Sequence, residues 1–246
     1  MGEIDLGDYR SGGYFLMTPT PEECASRTEL PPDCIPHSVS FGMAQFFPDS
    51  WGFDWAANER ERSTVARELG WPQERIIRVQ EWVNANPQQF DFPNVFLSHA
   101  AMAEFARTFI DPDQPVAWIG IGLHVAFVEE YLQARRPTGN QGTPGVYQAL
   151  SGRQPLHAGG QVRGFDVLHF EYSTFDSWLW KSLHIGFAES SGQGLNSYGL
   201  LDDAWTARAA AVWSMHDEYD TSDPDPDPHW WLPWVVVDYT PPGQTA

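Results

Sequence analysis

The chain is 246 residues long and 42% hydrophobic, enough to bury one substantial core and too apolar to be disordered throughout. Its 33 acidic residues against 14 basic ones give a formal net charge of −19, which repels nucleic acid and anionic membranes and attracts basic partners. No stretch approaches the roughly 18 to 20 apolar residues that span a bilayer, and the acidic start MGEIDLGDYRSGG lacks the regions of a secretory signal, so a cytoplasmic protein is expected.

Tyr14–Met17 predicts a short strand, followed by a Pro-rich acidic stretch that holds the only two cysteines, Cys24 and Cys34. Oxidised, they close one small loop; in a reducing compartment they are two unrelated thiols. A second strand is expected over His37–Phe41, then an aromatic cluster from Phe46 to Trp55 that reads as a core loop. From Asn58 to Leu69 a charged start and an apolar end predict a helix stopped by Gly70. Pro72 opens another helix, with Ile76, Val79 and Val83 at helical spacing.

Val95–Leu97 is a short buried strand, and Ser98 caps a helix striped by Met102, Phe105, Ala106 and Phe109. The continuous apolar run Val116–Leu123 suits a strand covered on both faces, and His124–Arg135 follows as a helix. Residues 136–145 form a Pro/Gly-rich loop with no change of composition across it, so 1–246 reads as one domain. Gly164–Tyr172 alternates as a strand, and Ser173 or Thr174 then caps a helix running to Ile185. Asp202 and Asp203 begin a last helix in which Trp205, Ala209, Val212, Trp213 and His216 share one face. An acidic loop over residues 217–229 precedes a final strand, Trp234–Asp238. The elements together predict a single α/β or α+β domain with a mixed central sheet flanked by helices.

Within the acidic loop, alternating Asp-Pro (Asp223, Asp225, Asp227) favours an extended, solvated backbone. Oxygen and imidazole ligands for a divalent ion are present there, but the spacing fits neither a calcium loop nor a zinc motif, so no metal is assigned. The histidines are scattered without a His-x-x-x-His pair. His124 directly follows the buried strand, where α/β proteins place functional groups, and is the first site candidate beside its simpler role as a helix-start residue. His169 and Glu171 lie on one face of the Gly164 strand and complete a catalytic set if the protein is an enzyme. Nucleophile motifs are absent, and IGIGLH lacks the third glycine of a dinucleotide fingerprint, so no cofactor is called for.

The stretch GFDVLHFEYSTFDSWLWKSL followed by LNSYGLL resembles a pattern in uncharacterised bacterial proteins, among them immunity-protein candidates of toxin systems; basic residues that are all arginine but for Lys181 also point to a bacterial source. Gly164, Phe165, Leu168, Phe175, Ser177, Trp178, Leu179, Asn196, Gly199 and Leu200 carry that resemblance, which implies a binding role and no catalytic position.

Two functions follow. The first is an acidic cytoplasmic binding protein, of the immunity or inhibitor kind, that blocks a basic protein partner such as a toxin through Asp223, Asp225 and Asp227 with Trp230 and Trp231 as anchors; neither nucleic acid nor membrane is a partner. The alternative is a small-molecule enzyme or ligand-binding protein whose pocket gathers His124, His169 and Glu171.

Overall fold

Long apolar segments that are buried along their whole length become the centre of the sheet. The structure is a computed structural model in which residues 4–17, 37–39, 59–91, 95–134, 145–171, 174–180, 184–217 and 231–243 are described. The strands are β1 (Tyr9–Met17), β2 (Phe90–Asp91), β3 (Val95–Phe96), β4 (Ala117–His124), β5 (Gln161–Glu171), β6 (Thr174–Ser177) and β7 (Leu232–Asp238). They form one sheet in the order β2-β3-β1-β4-β7-β5-β6. The described helices are α1 (Glu59–Leu69), α2 (Gln73–Ala85), α3 (His99–Phe109), α4 (Val125–Ala134), α5 (Gly145–Ser151), α6 (His184–Ser191) and α7 (Ala204–Asp217). The fold class is α+β, as expected. Every strand pairing is antiparallel, where a mixed sheet was expected, because no helix connects two neighbouring strands as a crossover.

The sheet is strongly curled. Four strand spacings separate β1 from β6, about 19 Å in a flat sheet. Yet Phe15 of β1 and Phe175 of β6 meet edge to face with ring centroids 6.0 Å apart, and Phe175 continues to Trp234 at 5.7 Å. The inner, concave face is therefore an aromatic core closed across its own opening. Pairing register puts Tyr9, Tyr14, Gly120, His124 and Phe165 on the outer face. α7 lies over β5 and β7.

Where a strand outruns its neighbour, another segment covers the bare edge, as unpaired edges require. Gln154–Leu156 pairs with the first residues of β1: the amide of Ser11 donates to the Gln154 carbonyl at 2.9 Å and that of Leu156 to the Tyr9 carbonyl at 3.2 Å. Beyond β6, Phe165 and Leu201 exchange two backbone bonds of 2.8 and 2.9 Å. That close approach depends on Gly164, whose φ is +146° and where a Cβ would stand 2.6 Å from the Leu201 carbonyl oxygen.

Capping signals placed the starts of α3 and α7 correctly: the Ser98 side chain accepts from the Ala101 amide at 3.1 Å, and Asp203 accepts from the amides of Trp205 and Thr206. Three expectations change. Thr174–Ser177 is a strand paired with β5 rather than the start of a helix, because Phe175 and Ser177 alternate inward against the strand opposite. The face of α7 that carries Trp205 and Val212 points outward, and the small residues Ala207, Ala210, Ala211 and Ser214 face the protein instead. Residues 37–39 are buried but are not a strand, and Phe41 and residues 46–55 lie outside the described residues.

Residues 37–39 are held by two polar networks. Asp238 accepts from Arg163 Nη2 at 2.6 Å and lies 3.5 Å from His37 Nε2, while Arg163 also donates to the Tyr198 hydroxyl at 2.7 Å. Burial alone would raise the Asp238 carboxyl, but hydrogen bonds from His37, Thr240 and Arg163 hold it well below the usual carboxylate range. Asp166 is fully buried and accepts from the Ser177 hydroxyl at 2.5 Å. Here burial outweighs the hydrogen bonds from Ser177, Ser38 and Val167 and pushes the carboxyl up to about 6.

Gly164→Ala is expected to lower the unfolding free energy by about 2 kcal/mol or more in urea denaturation, since it adds a strained backbone to a contact with a carbonyl that cannot withdraw. Asp166 predicts a pH effect of definite sign. Its carboxyl binds a proton more tightly folded than unfolded, so its contribution is full below the unfolded value of 3.8 and is lost as pH rises through about 6. That shift is worth on the order of 3 kcal/mol in total, of which about 1 kcal/mol falls between roughly pH 5.3 and 7.5. Asp166→Asn should remove that part of the slope in paired denaturation curves; parallel curves for the two proteins would refute the assignment.

Candidate functional site

Two openings lie on the outer face, both along β1. The first is a groove at the end of the sheet where β1 begins and β4 finishes. Tyr9 and His124 face each other in register, their rings edge-on at 5.3 Å. Phe165 of β5 lies 6.4 Å from Tyr9, Phe127 of α4 lies 6.3 Å from His124, and the start of α7 supplies Ala204, Trp205 and Arg208. Two adjoining cavities result, of about 270 and 250 Å³, and Tyr9, His124, Phe165 and Ala204 line both.

His124 Nδ1 accepts from the Ala126 amide at 3.2 Å and so caps α4, which leaves Nε2 to carry the proton of the neutral ring. The helix-start role and the site role thus coincide in one residue. Four carboxylates surround the second cavity: Asp5, Asp8, Asp202 and Asp203. Asp5 accepts from the Gly7 amide, Asp202 from the Asn196 side chain, and Asp203 from the first turn of α7, whose bonds from Thr206 and Trp205 lower its pKa. Arg208 lies over the Phe127 ring at 5.5 Å. Among the described residues no three acidic, histidine or cysteine side chains converge as a metal site. Trp205 stands at the rim, 80% exposed.

The second opening is a cleft of about 980 Å³. It forms where β1 changes its edge partner from Gln154–Leu156 to β3, a change made at the bulge between Ser11 and Gly13. His99, at the start of α3, and His157 stack in parallel at 4.1 Å with 8° between their planes, over Tyr14 and Tyr239. Two hydroxyls fix the backbone of His157: its amide donates to Tyr14 at 3.0 Å and its carbonyl accepts from Tyr239 at 2.6 Å. Burial raises the pKa of both tyrosines, which remain protonated. Gly120 is required beneath them, because a Cβ there would stand 2.7 Å from the Tyr239 ring and 3.0 Å from that of Tyr14. Burial first, then the charges of His157 and Arg107, push the His99 imidazole down to about 4.

Of the residues singled out from the sequence, His124 lines the groove. His169 is on β5, two strands from β4, buried at 2% exposure with its ring 5.4 Å from Trp231. The Glu171 side chain, Asp223, Asp225, Asp227 and Trp230 lie outside the described residues. Trp231 is 1% exposed and belongs to the core. Sequence reasoning missed Trp205 as a surface residue and the pairing of His99 with His157. The N-cap at Ser98 and the His at the following position were visible, but nothing in the chain links residue 99 to residue 157 before the sheet edge is known. The described residues contain no helix long and apolar enough to cross a membrane. Compared with protein-family models, curated proteins and solved structures, the chain matches none.

Proposed function

We propose that this is an acidic cytoplasmic binding protein, of the immunity or inhibitor kind, that docks a basic protein partner at the groove formed by Tyr9, His124 and Trp205. The observation that carries the proposal is the exposed Trp205 beside four carboxylates and two aromatic-walled cavities. A large exposed aromatic is the side chain best suited to anchor an interface, and the apolar outward face of α7 extends the contact through Val212. Each cavity is smaller than the roughly 300–1,000 Å³ of a drug-sized ligand site. They suit single side chains, and arginine or lysine meets both the aromatic walls and the carboxylates.

The net charge of −19 steers a basic partner from a distance, to which Asp223, Asp225 and Asp227 contribute, while the groove supplies the short-range contact. The resemblance to immunity-protein candidates supports a binding role, although the residues that carry it, such as Phe165, Leu168, Phe175 and Trp178, are buried.

Steering and anchoring separate in binding kinetics measured with an oligo-arginine peptide over a range of salt. Trp205→Ala should weaken equilibrium binding about tenfold, mainly through faster dissociation. Asp8→Asn and the triple change of Asp223, Asp225 and Asp227 to Asn should slow association and flatten its salt dependence. If Trp205→Ala binds as the parent does, the groove is not the docking site.

A further inference from the structure

We propose that the two cavities of the groove divide a partner's segment between them, the one under Trp205 taking an aromatic side chain and the one beside Asp8 taking an arginine or lysine two positions along the same segment. This deepens the docking of a basic partner proposed above and rests on it.

The adjoining cavities share the wall made by Tyr9, His124, Phe165 and Ala204 and differ in the rest of their lining. The cavity of about 270 Å³ adds Phe127, Trp205 and Pro233 with a single cation, Arg208, and no carboxylate. The cavity of about 250 Å³ adds four carboxylates and no cation. The two sides of the groove are therefore opposite in charge. Arg208 is exposed with its guanidinium 5.5 Å from the Phe127 ring, and among the described residues it makes no hydrogen bond or ion pair. A second cation entering the aromatic cavity meets that charge in a confined space. An uncharged aromatic ring instead meets rings on its walls, with which offset and edge-to-face packing is favourable.

The carboxylates on the other side are unequal. Asp203 commits both oxygens to the first turn of α7, while Asp5 and Asp202 commit one each, to the Gly7 amide and the Asn196 side chain. Asp8 is exposed and commits neither oxygen to any described residue, so it is the carboxylate most open to an incoming cation. In an extended segment, residues two positions apart point the same way about 6.6 Å from each other, the order of the separation between adjoining cavities of this size. Consecutive residues point to opposite sides and cannot fill both cavities. A uniformly basic segment meets Arg208, and a uniformly apolar one covers Asp8 without pairing it.

The test is NMR titration of the full chain at low salt with Gly-Ser-flanked peptides carrying Phe-Gly-Arg, Arg-Gly-Phe, Arg-Gly-Arg or Phe-Gly-Phe. At least one mixed peptide should bind about tenfold tighter than either uniform one. Trp205→Ala should abolish its advantage over Arg-Gly-Arg, Asp8→Asn its advantage over Phe-Gly-Phe, and Arg208→Gln should strengthen Arg-Gly-Arg binding. All three side chains are exposed, and circular dichroism should show the variants folded as the parent is. If a uniform peptide binds as tightly as both mixed ones, the division is overturned; Arg-Gly-Arg still weakened by Trp205→Ala leaves the docking of a basic partner standing. Binding of no peptide, or binding indifferent to Trp205 and Asp8 alike, overturns both.

Discussion

The contact between Phe15 and Phe175 sets the shape on which everything else depends. Rings from strands four positions apart meet only if the sheet curls into a half-barrel, and the 6.0 Å between them records how far it has curled. Curling buries one face against itself. The aromatic side chains of Phe15, Phe175 and Trp234 meet there, and the openings form on the opposite face.

On that outer face, local sequence decides where the openings fall. β1 begins with Tyr9 opposite His124 and carries a bulge two residues later, at the Gly12-Gly13 pair. Before the bulge its edge is covered by Gln154–Leu156; after it, by β3. The groove lies at the start of the strand and the cleft at the change of partner, with the turn formed by Ile4–Asp8 reaching both. The acidic residues near the groove are partly structural, since Asp5 and Asp203 each cap a turn or a helix. The same carboxylates shape the chain and set its surface potential.

Much of the architecture was legible in the sequence because it rests on local signals. Gly70 ends α1 with a positive φ, Ser98 caps α3, and the unbroken apolar run before His124 is a strand buried on both sides. The misses share a cause: they depend on which neighbour a segment meets. Phe175 and Trp178 suit one face of a helix or the end of a hairpin, and only pairing with β5 decides between them. In α7 the large apolar residues look like the buried face, but the helix packs through its alanines and leaves Trp205 outside. His124 could be chosen from its position after a strand, whereas His99 and His157 become a pair only through the long-range edge contact of residues 154–156.

In the proposed function a basic partner is held at the groove and only steered by the remaining negative charge. Hydrogen exchange of the full chain, with and without a saturating oligo-arginine peptide, tests it most directly because it locates the contact. Docking at the groove protects the start of β1 around Tyr9, His124–Phe127, and the Asp202–Arg208 segment opening α7. Protection confined to residues 217–229, with the groove unaffected, would contradict it.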